Sequence, residues 1–144
     1  MRTFIAIILL ILCAAPNARA QSSPLAVHLE SSADDSVGRQ LVYEVKEQLR
    51  SSNGLSFADI KSESIIRLKL VTLDPDNGVG SRTIYSVVIT MRPIDRDQDV
   101  YLTNLVGICG GAVVESCART IVAETDTWAV GIRAALKNLA HPSE

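Results

Sequence analysis

Two histidines far apart, one tryptophan and three cysteines are few chemical side chains for 144 residues. The scarcity excludes several functions. His28 and His141 stand alone, and there is no G-x-S-x-G and no reactive-cysteine context. No nucleophile–base pair can be proposed. No cysteine or second histidine stands at ligand spacing from His28, which reads as a partly exposed strand residue. The chain has no lysine–arginine cluster, which argues against a nucleic-acid or anionic-membrane surface. It has no long charged or low-complexity tract, which favours one globular domain. Gly107-Ile-Cys-Gly-Gly111 is glycine-rich but lacks the Gly-Lys-Ser/Thr of a phosphate-binding loop, and no cofactor is implied.

What is present begins with an export signal. Met1-Arg-Thr-Phe carries a positive charge, Ile5 to Ala15 is unbroken apolar sequence, and Ala18-Arg19-Ala20 is a small-x-small cleavage site. This is the three-part pattern of a secretory signal peptide, with an apolar run too short to span a bilayer. Cys13 raises the alternative of an acyl anchor, but Leu12 stands where a lipobox has a small residue. Cleavage after Ala20 leaves residues 21–144 as a single exported domain. Removal of Arg2 and Arg19 leaves 12 basic against 16 acidic residues, a net charge of about −4. No second apolar run reaches the ~20 residues of a spanning helix.

The chain is organised around Ser64 to Cys109, which reads as three strands. Ile66, Leu68 and Leu70 alternate with Arg67 and Lys69, the period of a half-buried strand. Asp74-Pro-Asp-Asn-Gly78 closes it, with positive φ expected at Asn77-Gly78. Tyr85, Val87, Ile89 and Met91 alternate with Ser86, Val88 and Thr90 in the second strand, which Pro93 ends. A charged turn from Ile94 to Asp99 leads to the third, Val100 to Cys109. Short turns between sequential strands predict an antiparallel meander. Leu25, Val27 and Leu29 predict an N-terminal strand, and Leu55 to Ala58 a short segment able to form an edge strand. Asp59 to Glu63 reads as a polar connection.

Two helices are predicted to cover the apolar face. Val37, Leu41, Val45 and Leu49 step by four. Ser32 with Asp35 resembles a capping box, with Asp34 and Asp35 in the first turn rather than a catalytic carboxylate pair. Asn53-Gly54 is the expected stop. Gly38 lies inside this helix, where glycine costs about 1 kcal/mol relative to alanine, and a close approach to the sheet would account for it. The second helix runs from about Ser116 to Leu139. Ala118, Ile121, Thr125, Trp128, Ile132, Ala135 and Leu139 form its stripe, with Trp128 expected in the core. The fold class is therefore α+β: an antiparallel sheet, a meander of three strands plus an N-terminal strand, covered by two helices.

Cys109 and Cys117 remain after cleavage. An even pair in an exported chain predicts a disulfide. Eight residues apart on one helix they would be ~12 Å apart, so Gly110-Gly111 must turn the chain back. Asp95, Asp97 and Asp99 begin as an EF-hand loop begins, but Val100 and Val106 stand where glycine and glutamate are needed. A calcium site there is set against a plain hairpin turn. Asp76, Asn77, Gly78, Asp95 and Asp97, at the two hairpin tips, are candidate interaction residues.

The order strand, helix, short strand, two long strands, third strand, helix resembles the TolB amino-terminal domain and the CsgG-type envelope modules, as does the helix Val37-Gly-Arg-Gln-Leu-Val-Tyr-Glu-Val-Lys-Glu-Gln-Leu49. The resemblance covers most of residues 25–139. It implies a non-catalytic interaction or accessory module of the bacterial envelope, with a protein partner there or self-association. The alternatives are a secreted inhibitor or immunity-type protein and a small envelope hydrolase.

Overall fold

The structure, a computed structural model, describes residues 23–78, 80–93 and 96–140. The expected signal peptide, Cys13 and His141 lie outside them. The elements in order are β1 (Leu25–Ser32), α1 (Ser36–Ser51), β2 (Leu55–Phe57), β3 (Ile66–Leu73), β4 (Arg82–Met91), β5 (Val100–Gly110) and α2 (Val114–Ala140). The expected polar connection before β3 contains one 3-10 turn, Lys61–Glu63.

The strands form one five-stranded sheet in the order β2-β1-β3-β4-β5. β3, β4 and β5 make the predicted antiparallel meander. The expectation of an all-antiparallel sheet is corrected at β1, which runs parallel to both of its neighbours, with Leu25 opposite Leu55 and Val27 opposite Ile66. The reason is the connection. α1 carries the chain back across the sheet, so the strand that follows it enters in the same direction as β1. The segment after α1 pairs as the edge strand β2 and raises the strand count to five.

Both helices pack on one face. Val37, Leu41, Val45 and Leu49 of α1 and Ala118, Ile121, Ala129 and Ile132 of α2 are buried with Val27, Leu68, Leu70, Val87 and Ile89 of the sheet. The other face, with Arg67, Lys69, Ile84, Val106 and Ile108, is left uncovered by the described residues. Tyr85 lies against Gly107, its partner on β5; a Cβ there would stand 2.6 Å from the Tyr85 hydroxyl.

The ends of α1 differ from expectation. β1 continues to Ser32, so the cap is Asp35, whose side chain accepts from the Gly38 N–H at 2.6 Å. Its other oxygen accepts from the hydroxyls of Thr72 and Thr83, each at 2.9 Å. Partial burial pushes the Asp35 carboxyl up, but these donors outweigh it and hold the group below its ordinary range. At the other end Ser52 takes an extended conformation, and its hydroxyl accepts from Gly54 and Leu55 at 3.2 Å. Gly54 serves packing instead: a Cβ there would stand 2.6 Å from an oxygen of Asp126 on α2.

Cys109 and Cys117 are joined, with Cα atoms 6.2 Å apart. A 3-10 turn over Gly111–Val113 makes the reversal, and α2 begins at Val114, slightly before the expected start.

Candidate functional site

The largest departure from the expected core is at the far end of α2. Arg133 donates to the Gly54 carbonyl at 2.7 Å and draws the helix toward the β2 side of the sheet. The ends of β4 and β5 are left partly open, and an apolar groove of about 480 Å³ forms there. Its sheet wall is Ile65, Met91, Pro93 and Leu102, and its helix wall is Trp128, Gly131, Ile132, Ala135, Leu136 and Leu139. Arg92 is the one charged residue among them. Leu102 reaches the groove because the β4–β5 register shifts beside Ile89 and Thr90, leaving it without a partner on β4.

Trp128 is therefore not a core residue. It is half-buried, its indole N–H donates to Glu124 at 3.2 Å, and Ala129 takes the buried place. Ala135 and Leu139, expected in the stripe, are exposed, Leu139 by 78%. The signal in the sequence was Gly131, a second helix-interior glycine. A Cβ there would meet no described residue within 4 Å.

The two candidate hairpin tips lie at opposite ends of the sheet and are not brought together. In the β3–β4 loop Asn77 and Gly78 have the expected positive φ, 50° and 100°. The Asp74 carboxylate accepts from the N–H groups of Asp76 and Gly78, both at 2.7 Å. Arg82 grips Asp76 at 2.8 and 2.9 Å and holds its carboxyl below the ordinary range. In the β4–β5 turn Asp95 lies outside the described residues. Asp97 pairs with Arg92, and Asp99 takes both its oxygens to Arg67, at 2.5 and 2.8 Å. The two described carboxylates of the run thus pair with different arginines. No cluster of three His, Cys, Asp or Glu suited to a metal occurs among the described residues.

His28 sits on the uncovered face, as expected, with Nδ1 donating to the Ala58 carbonyl at 3.0 Å. Glu30, Lys61, Arg67, Lys69 and Asp99 line a polar depression beside it. Further along this face the character changes. Leu73 pairs with Ile84, and Ile84 with Ile108; beside them Val71 pairs with Ser86, and Ser86 with Val106. Leu73, Val106 and Ile108 are each about two-thirds exposed, at 65%, 67% and 64%. Together they form an apolar patch across three strands. No helix among the described residues is long and apolar enough to cross a membrane.

No family model and no curated protein matches the sequence. Solved structures do match in shape. The hypothetical protein CT253 of Chlamydia trachomatis is 10% identical with a TM-score of 0.51, over 74% of this chain and 98% of that one. Protein XCC0632 of Xanthomonas campestris, of family DUF330, is 11% identical with a TM-score of 0.46, over 81% and 90%. The rare lipoprotein B of Shewanella oneidensis is 18% identical with a TM-score of 0.32, over 81% and 99%. The likeness to the Chlamydia protein is one of fold.

Proposed function

We propose that this chain is an exported, non-catalytic interaction or accessory module of the bacterial cell envelope, and that it meets a protein partner through the uncovered face of its sheet. The observation that carries this is the patch of Val71, Leu73, Ile84, Val106 and Ile108. Contiguous exposed apolar area of this kind marks an interaction surface on a soluble domain. Its rim of Arg67, Lys69 and Glu30 supplies the polar border such surfaces have. The expected N-terminal export signal and a disulfide suited to an oxidising compartment support the location. The resemblance of the element order to that of TolB-type and CsgG-type modules supports the class of role, by analogy of fold.

The test is a photo-crosslinking residue placed at Val106 in the full-length protein in its native envelope, with Tyr43 on the exposed side of α1 as control. A single stoichiometric adduct from position 106, absent from position 43, is expected. No adduct from 106, in cells where a known envelope complex crosslinks, removes the reading. Ile108→Lys should abolish the adduct while leaving stability within about 0.5 kcal/mol, since the side chain is exposed.

A further inference from the structure

The groove under the end of α2 is on the other side of the sheet from that patch and calls for its own occupant. We propose that it binds one monomeric amphiphile: an unbranched alkyl chain lying along α2, with a carboxylate-class head at Arg92.

Three observations converge. The first is the lining, apolar among the described residues except for Arg92, with a volume of about 480 Å³. That lies within the ~300–1,000 Å³ of small-molecule sites, which combine apolar walls with one or two orienting polar groups. The second is charge. The Arg92 guanidinium already holds a carboxylate, that of Asp97, whose side chain is 92% exposed on a turn. An incoming anionic head takes the same place, and an exposed turn residue yields it at little cost. The third is Gly131. No described residue stands within 4 Å of the position its Cβ would take, so none of them requires a glycine there. Glycine weakens a helix interior. Here it lines the helix wall of the groove, and a side chain at this position would extend into open space.

The charge of the chain selects a monomeric ligand over a bilayer surface. Surface docking draws on clusters of lysine and arginine, whereas residues 21–144 carry a net charge of about −4 with no such cluster. Recognition of one chain by one apolar groove and one arginine needs no such field.

Trp128 is the only tryptophan and lines the groove, so its fluorescence reports occupancy directly. The mature protein, residues 21–144, is titrated with sodium dodecanoate below its micelle threshold. A saturable blue shift at one ligand per chain is expected. Dodecyltrimethylammonium, with the same chain length and opposite head charge, should bind about ten-fold more weakly. Arg92→Gln should remove that preference while keeping the shift. Gly131→Leu should fill the groove and abolish the shift in a protein that melts no lower than the parent. The proposal is overturned by an unsaturable response, by equal binding of both amphiphiles, or by an unchanged Gly131→Leu titration. Co-sedimentation with phosphatidylglycerol vesicles in the absence of monomer binding also overturns it, in favour of a membrane surface. Each of these results leaves the crosslinking test at Val106 unaffected.

Discussion

A Cβ added to Gly38 would stand 2.1 Å from Oγ1 of Thr72, far inside van der Waals contact. The first turn of α1 thus rests on β3 at a distance only glycine allows. Gly38→Ala would gain about 1 kcal/mol of helix propensity in an open site. Here it must push α1 off the sheet, and it also crowds the Asp35 carboxylate. Overpacking of this kind costs about 1–3 kcal/mol. We expect the variant to be destabilised by that order in urea unfolding. A neutral or stabilised variant would mean that α1 does not seat on β3 as described.

Asp35 makes the pH dependence of the fold predictable. Its carboxylate caps α1 and accepts from Thr72 and Thr83, hydroxyls on two different strands. Its folded pKa lies below the ordinary carboxylate value of about 3.9. The unfolded chain therefore binds the proton more readily than the folded one. The stabilisation is complete above that ordinary value and is lost as pH falls through the lower folded value. Asp35→Asn keeps an acceptor for Gly38 but cannot accept from both threonines. A loss of about 1–2 kcal/mol at pH 7 is expected. The loss should shrink toward pH 3, where the parent weakens and the asparagine variant changes less. Parallel urea curves at the two pH values decide it; an equal loss at both would remove the carboxylate from the account.

The disulfide between Cys109 and Cys117 fixes the end of α2 opposite the groove. A short closed loop contributes about 2–3 kcal/mol by constraining the unfolded chain. The double variant Cys109→Ala/Cys117→Ala should lose that amount, and reductant should bring the parent to the same stability. Hydrogen exchange should rise first over Val114 to Ala118, where the turn is pinned. A variant as stable as the parent would leave the bond without a structural role.

Much of this fold was legible in side-chain period. The stripe of Val37, Leu41, Val45 and Leu49, the alternation in β3 and β4, and the positive φ at Asn77 and Gly78 follow from local rules. The direction of β1 does not, because Leu25, Val27 and Leu29 alternate identically in parallel and antiparallel pairing. Only the crossover through α1 decides it. Trp128 failed for a related reason. Its place in the stripe is a fact of the helix alone, but burial depends on what lies opposite. α2 has 27 residues against 16 in α1, and Arg133 draws it toward Gly54. Its last turns therefore extend past the cover that periodicity assumes. The uncovered patch was equally hidden: Val106 and Ile108 alternate as core residues do, and only the packing of both helices on the opposite face leaves them without a described layer.

Gly131 gives the sharpest contrast with Gly38, since both lie inside helices and call for opposite outcomes. Around Gly38 there is no room; around Gly131 a Cβ meets no described residue within 4 Å. Gly131→Ala should therefore stabilise the protein by about 0.5–1 kcal/mol, through helix propensity and a less flexible unfolded chain. Calorimetry of the two alanine variants side by side gives the comparison, with melting temperature rising for one and falling for the other. A fall at Gly131 would show that the helix is packed against something there, and would close the groove as a site. A rise would show that the glycine is costly to the helix and unforced by any neighbour. The space it leaves beside Trp128 is then the feature that distinguishes it from alanine at this position, and the Gly131→Leu titration reads whether that space is used.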